Sequence, residues 1–354
     1  MSARVCVAMS GGVDSSVAAL LLKRQGYEVI GISMKLYKAD HDAGRKGGCC
    51  TPRDMDDARW VAEMLNIPYF LFDYQAQFKS RVIDPFVQDY RQGRTPNPCV
   101  RCNQEVKFDI LFREAKALGC DFLATGHYAR IQIDDQGIPC LYRAHDKQKD
   151  QSYFLFGLTA DDLRRMIFPL GDLRKDEVRQ LAQEAKLPVS AKPDSQEICF
   201  VAGGSYVDVV RRHGDAQTRQ EGEIRNLQGD VLGHHQGHFY YTIGQRKGLG
   251  ALGATAKYVL KVLAGENAVV VGDEADLYHN EAELVETRWT RYPKPDEELN
   301  VKIRSHGEFL PAYVTITAPD RAKIHFYKHA KSLTPGQAAV CYAGEATLGG
   351  GFIR

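Results

Sequence analysis

Through about residue 125, short apolar runs at residues 5–9, 29–34, 69–72 and 122–125 alternate with stretches of helical character. Near-continuous runs of this length suit strands buried on both faces, and the intervening helices supply the crossovers that parallel strands require. The pattern predicts an α/β fold with a doubly wound parallel sheet. The helix after Cys50 carries its own start signals, with Thr51 as N-cap, Pro52 at the first position and Asp54 placed to complete a capping box. Asp54, Asp56 and Asp57 therefore read as helix-start chemistry rather than as a metal cluster. A further helix is predicted over residues 176–186, and the polar loop 192–200 closes this first region. Residues 205–272 are then rich in Gly, His and Arg/Lys, and from about residue 280 apolar and polar positions alternate in short runs, with turn signals such as Pro335-Gly336. Alternation of period two punctuated by turns predicts a small β-barrel. The expected partition is residues 1–204, 205–275 and 276–354.

A chain of 354 residues with 44% hydrophobic content can bury more than one core, which agrees with several domains. The charge is balanced, 46 Lys+Arg against 45 Asp+Glu, so a polyanion partner would have to be met by local patches such as Arg211-Arg212, Arg246-Lys247 or Lys302 with Arg304. Apolar runs long enough to span a bilayer are missing, the N-terminus leads straight into a strand, and the nine cysteines are an odd number. Together these predict a cytoplasmic protein with reduced thiols and no membrane association.

The first strand runs directly into Ser10-Gly11-Gly12-Val13-Asp14-Ser15-Ser16. Two adjacent glycines let the backbone turn tightly enough to aim successive N–H groups into one concavity, and the helix that follows adds its positive end. The result is an anion cradle suited to nucleotide phosphates. Hydroxyls of Ser10, Ser15 and Ser16 are candidate donors, and Asp14 beside phosphate calls for an intervening Mg2+. In open α/β sheets ligands lie beyond the carboxyl ends of the strands, so Met34 and Gly126-His127-Tyr128 are expected to converge on the same nucleotide, ATP. Gly126 would admit the adenosine, and Met34 either packs on the base or fills the core.

The segment Gly93-Arg94-Thr95-Pro96-Asn97-Pro98-Cys99-Val100-Arg101-Cys102-Asn103 is stiffened by two prolines just before its thiols. Arg94, Arg101 and a helix beginning near Asn103 would each lower a thiol pKa and so activate a nucleophile. A structural zinc needs four ligands, and the nearest additional pair, Cys49-Cys50, has the wrong spacing. Cys6, Cys120, Cys140 and Cys341 lie in or beside apolar stretches and read as packing residues, whereas Cys199 follows a polar loop and precedes an aromatic.

With these segments in hand, the chain resembles, almost end to end, the bacterial tRNA-specific 2-thiouridylases, the MnmA/TrmU family. The resemblance rests on Ala8-Met9-Ser10-Gly11-Gly12-Val13-Asp14-Ser15, Arg94-Thr95-Pro96-Asn97-Pro98, Ala124-Thr125-Gly126-His127-Tyr128 and Lys149-Asp150-Gln151-Ser152-Tyr153-Phe154. It continues through Ile198-Cys199-Phe200, residues 241–250 and Thr334-Pro335-Gly336-Gln337. It implies a PP-loop ATP pyrophosphatase domain, a central tRNA-binding domain and a C-terminal β-barrel. It also implies that Ala8, Met9, Ser10, Gly11, Gly12, Val13, Asp14, Ser15, Met34 and Gly126 hold ATP. By the same resemblance Cys102 is the nucleophile, Cys199 carries a persulfide, and Asn97, Pro98 and Cys99 lie near the target base. Further tRNA contacts are implied for His127, Lys149, Asp150, Gln151, Arg304, Ser305 and Gln337. The bland reading of His127 is a hydrogen-bonded residue at a strand end.

The activity implied is ATP-dependent adenylation of the C2 oxygen of wobble uridine 34, followed by sulfur transfer to give 2-thiouridine. Implied partners are tRNAs for Lys, Glu and Gln and a cysteine desulfurase or sulfur-relay protein. One departure stands out: Cys99 occupies a position where many relatives carry aspartate. Cys99, Cys102 and Cys199 thereby become an alternative ligand set for a [4Fe-4S] cluster, beside the persulfide route. Two other classes share parts of the pattern. An amide- or argininosuccinate-forming PP-loop synthetase shares the cradle but has no need of the cysteines, and a non-catalytic tRNA-binding sulfur carrier would need no ATP cleavage.

Overall fold

The structure, a computed structural model, describes residues 2–37, 51–194, 198–201, 204–213, 220–250, 252 and 255–354. Cys49, Cys50 and Ser195-Gln196-Glu197 of the loop before Cys199 lie outside the described residues. The chain forms two compact units: Met1–Val82 with Cys99–Gly204 and Glu345–Leu348, and Ile83–Pro98 with Ser205–Gly344 and Gly349–Arg354.

The first unit is built on the predicted parallel sheet. Strands β1 (Arg4–Ala8), β2 (Glu28–Lys35), β3 (Tyr69–Asp73) and β4 (Phe122–Thr125) lie in the order β3-β2-β1-β4, with the short strand Met166–Ile167 beyond β4. Val5, Cys6 and Val7 of central β1 are fully buried, as strands covered on both faces must be. β3 departs from that expectation, since Phe70 and Leu71 remain more than two-fifths exposed. Among the described residues it is the edge strand of the sheet, with β2 as its neighbour. Register pairs Ala8 with both Ile32 and Thr125, so Met9, Ser33 and Gly126 follow at the same sheet edge. Helix α1 (Val13–Arg24) starts immediately beyond that edge, and its Val17, Ala18 and Ala19 pack fully buried into the same core.

Helix α2 (Pro52–Met64) begins as its sequence dictates. Thr51 Oγ1 accepts from the Asp54 N–H at 3.2 Å, and Asp54 Oδ2 accepts from the Thr51 N–H at 2.8 Å, a complete capping box. Thr51→Ala is expected to cost about 1 kcal/mol. A urea titration reads this as a lower midpoint with an unchanged slope.

The cysteine-bearing helix starts earlier than predicted. Pro98–Cys102 is already helical, continues through a π-helical turn at Asn103–Lys107 and becomes the α-helix Phe108–Ala117. Pro98 at the first position explains the early start, because its fixed φ and missing N–H suit a helix N-terminus. Cys102 thus lies within the helical run rather than ahead of it.

In the second unit, Tyr258–Leu263, Ala268–Gly272, Gly222–Arg225 and Val231–His235 form a four-stranded sheet in that order. The strands Tyr278–Trp289, Arg321–Lys331, Leu310–Ala318, Leu299–Lys302, Ala338–Ala343 and Ala346–Ile353 follow one another around a barrel, closed by pairing of the first with the last. Barrel closure removes the exposed sheet edges. Residues 83–98 belong to this unit. Tyr90 stacks on Tyr206 at 4.5 Å, Arg94 holds Asp89, and the Thr95 N–H donates to the Pro335 carbonyl at 2.8 Å. Among the described residues no helix is long and apolar enough to cross a membrane.

Candidate active site

The cradle forms where β1 ends. Gly11 adopts φ +71°, and a Cβ there would lie 2.0 Å from the Asp54 carbonyl oxygen, so only glycine lets the loop turn beneath α2. Gly126 is equally constrained, because a Cβ would lie 2.6 Å from the Ser15 nitrogen. The sheet edge therefore abuts the first turn of α1 directly. The serines divide the work unequally. Ser10 is exposed, while Ser15 accepts from the Ser10 N–H at 3.1 Å and donates to the Gly12 carbonyl at 3.2 Å. Ser16 is fully buried and donates to the same carbonyl at 2.8 Å, so it braces the helix instead of serving as the phosphate donor expected of it. Met9, Val13 and Met34 are core side chains.

Behind the cradle lies an ion cluster that the sequence did not announce. Lys175 Nζ donates to both carboxylate oxygens of Asp14, at 2.7 and 2.8 Å, and reaches Asp194 Oδ1 at 2.9 Å. Tyr128 Oη donates to Asp14 at 2.8 Å. Asp194 also accepts from Lys149 and from Arg179, each at 2.8 Å. Burial works to raise the Asp194 carboxyl, but hydrogen bonds from Lys149 and Lys175 outweigh it and hold the pKa at about 2. The stability this carboxylate contributes is complete above the ordinary carboxylate range and is lost as the pH falls toward 2. A second hub bolts the same segment down, since Lys192 Nζ donates to the Gly11 carbonyl at 2.8 Å, to Asp54 at 2.6 Å and to Asp57 at 2.7 Å. One signal for Lys175 was present: it is a cation at the first position of the Lys175–Glu184 helix, where the macrodipole disfavours positive charge.

The thiols occupy two settings. Cys102 is buried, while Cys99 and Cys199 are half-buried. Phe200, next to Cys199, packs edge-on against Phe78 at 5.8 Å. The arginines expected to charge this neighbourhood are paired with carboxylates, Arg94 with Asp89 at 2.5 Å and Arg101 with Glu105 at 3.0 Å, which offsets their effect on a thiol. Cys6, Cys140 and Cys341 are buried as packing residues, and burial pushes the Cys341 thiol up to about 12. Among the described residues no three His, Cys, Asp or Glu side chains gather as a metal-binding group.

Family models match the chain in three blocks. A tRNA methyl transferase HUP domain covers residues 3–203, a tRNA methyl transferase PRC-barrel domain 208–273 and an aminomethyltransferase beta-barrel domain 279–353. The tRNA-specific 2-thiouridylase MnmA of Geobacter metallireducens is 47% identical over 99% of this chain and 96% of its own length. That of Acidithiobacillus ferrooxidans is 44% identical over 99% of this chain and 98% of its own. The chain belongs to the MnmA family of tRNA-specific 2-thiouridylases. The domain descriptions speak of methyl transfer, but the full-length MnmA relatives are named for thiolation, the chemistry to which a phosphate cradle and cysteines are suited. A solved 4-thiouridine synthetase–RNA complex with bound ATP is a distant likeness, with TM-score 0.35 and 15% identity over 59% of this chain and 50% of that one.

The tRNA-contact positions implied by the MnmA resemblance fall into two groups. In the first unit, His127 is half-buried, with Phe108 and Phe168 at ring distances of 6.1 and 6.3 Å, and its Nδ1 lies 2.8 Å from Thr125 Oγ1. Burial, reinforced by the Lys107 charge, lowers its pKa to about 3, so the ring is neutral at physiological pH. Asp150 ties Arg143 to the N–H groups of Ala144 and Ser152, and Gln151 Oε1 accepts from the Tyr128 N–H at 2.9 Å. These two side chains are engaged in scaffolding, and Lys149 in the Asp194 cluster. In the second unit, Gln337 Nε2 donates to the Thr95 and Pro96 carbonyls at 3.0 and 3.2 Å, which anchors the chain just before Asn97 and Pro98. Arg304 Nη2 reaches the Thr334 hydroxyl at 3.4 Å, and the Ser305 carbonyl accepts from Lys302 Nζ at 2.8 Å.

Proposed function

We propose that this MnmA-family sulfurtransferase adenylates the C2 oxygen of wobble uridine 34 in tRNA with ATP and then exchanges that oxygen for sulfur. The products are 2-thiouridine, AMP and pyrophosphate. One observation carries the reading: the glycine-serine cradle and the helix bearing Cys102 belong to one compact unit. Oxygen leaves a uracil carbonyl far too slowly unaided, and adenylation converts it into the leaving group AMP. Backbone N–H groups of residues 11–15 stabilise the departing pyrophosphate. Magnesium would arrive on the substrate phosphates and neutralise the pyrophosphate charge there, since both oxygens of Asp14 are already taken by Lys175.

Cys199 carries sulfur as a persulfide supplied by a cysteine desulfurase or a relay protein. Its terminal sulfur attacks C2, AMP departs, and the base is left joined through a disulfide to Cys199. The Cys102 thiolate then attacks the Cys199 sulfur, forming a Cys102–Cys199 disulfide and leaving both bonding electrons with the sulfur on C2. A cellular thiol reductant resets the pair. In the variant order, Cys102 attacks first and frees sulfide, which adds to C2. The persulfide route needs no iron–sulfur step, because Cys199 carries the sulfur and Cys102 resolves it. Acceptors are the tRNAs for Lys, Glu and Gln. Asn97, Pro98 and Cys99 contact the base, and Lys149, Arg304, Ser305 and Gln337 contact the tRNA, with His127, Asp150 and Gln151 shaping the surface from beneath. The flipped base needs such a built surface to leave its stack.

The test is nucleoside mass spectrometry of unmodified tRNA incubated with the protein, ATP, Mg2+, cysteine and a desulfurase. The expected result is a uridine-to-2-thiouridine mass shift at position 34 with one AMP released per sulfur inserted. ADP in place of AMP, or unmodified tRNA despite persulfide on the protein, overturns the proposal.

A further inference from the structure

A carboxylate in the first turn behind an anion cradle opposes phosphate binding unless something neutralises it. Here the neutralising group is an ammonium: Lys175 gives its N–H donors to Asp14 and Asp194, while its side chain is 12% exposed and the Tyr128 ring lies 5.8 Å away. The two carboxylates hold it with unequal need. Asp194 keeps Arg179 and Lys149 if Lys175 leaves, whereas Asp14 would keep only the Tyr128 hydroxyl among these groups. Exchange of Asp194 for another oxygen anion is therefore the cheaper move.

We propose that Lys175 is a ligand of the ATP phosphates, held ready by Asp14 and Asp194, and that it exchanges Asp194 for a phosphate oxygen when the nucleotide binds. Asp194 is the positioning residue. It competes with the nucleotide for Lys175, so its charge lowers triphosphate affinity. The inference rests on the cradle being an ATP site and is independent of which acceptor is adenylated.

Titrations of the full chain with α,β-methylene-ATP and with AMP test it. Lys175→Gln is expected to weaken the triphosphate at least about tenfold while changing AMP by less than about threefold. Asp194→Asn is expected to tighten the triphosphate, an effect that a merely structural aspartate would not produce. The double variant Asp14→Asn/Lys175→Gln leaves no stranded charge and carries the comparison if Lys175→Gln melts early. Continued weak triphosphate binding in the double variant supports a direct ligand, and recovery of wild-type affinity means that Lys175 only screens Asp14 and overturns the inference. Equal losses for AMP and triphosphate in Lys175→Gln, or weaker triphosphate binding in Asp194→Asn, overturn it too. A wild-type chain that binds neither probe refutes the ATP reading itself.

Discussion

Cys199→Ser is expected to lower tRNA thiolation by about three orders of magnitude or more, with tRNA-dependent pyrophosphate release retained in the first turnover. The split follows from the chemistry. Adenylation uses the cradle and the base oxygen, whereas only a thiol can carry a second sulfur as a persulfide. A serine oxygen at the same place preserves size and polarity but forms no such bond. Cys102→Ser is expected to fall as far, yet it should stall later: with no thiolate to attack Cys199, tRNA accumulates in a covalent adduct that a reducing agent releases. Non-reducing gels and quench-flow measurement of pyrophosphate separate the two blocks. Full thiolation by Cys199→Ser would remove the persulfide from the mechanism, and an adduct-free Cys102→Ser would favour the route through free sulfide.

Much of this site was legible because glycine and proline act locally. Gly11, Gly126 and Pro98 fix backbone geometry wherever they occur, so the cradle, the sheet edge and the stiff approach to the cysteines could be read from short segments. Charged side chains are different, because their effect depends on partners far along the chain. Lys175 meets Asp14 across 161 positions, and Lys192 meets Asp54 across 138. Arg94 and Arg101, expected to charge the surroundings of the thiols, are each also paired with a near neighbour, Asp89 or Glu105, which the sequence reading left out. Ser16 shows the limit of motif reading, since in a helix a serine can satisfy itself on the preceding turn. The MnmA resemblance supplied Asp150 and Gln151 as contacts, and local geometry engages both with Arg143 and Tyr128.

Gly11→Ala is expected to destabilise the first unit by about 3 kcal/mol or more and to abolish measurable ATP binding. Two costs add at this position. An alanine at φ +71° pays about 1–2 kcal/mol for the left-handed conformation. Its Cβ would also sit 2.0 Å from the Asp54 backbone oxygen, and forcing that overlap apart costs typically a further 1–3 kcal/mol. The neighbour cannot simply rotate away, because Asp54 is fixed in the capping box of α2 and gripped by Lys192, which also holds the Gly11 carbonyl. Relief must come from moving the loop, and moving the loop misaims the N–H groups that form the cradle. Gly26→Ala is the control: it shares a positive φ, +87°, but nothing lies within 4 Å of its Cβ, so only the conformational cost applies and nucleotide affinity is unchanged. Gly126→Ala separates the two consequences, since its clash is with the Ser15 nitrogen at 2.6 Å and carries no left-handed penalty. It is expected to lose nucleotide affinity with a smaller loss of stability. Urea midpoints and α,β-methylene-ATP titrations of the three variants give the comparison, and a Gly11→Ala chain that binds the analogue like wild type would show that phosphates are not held by this loop.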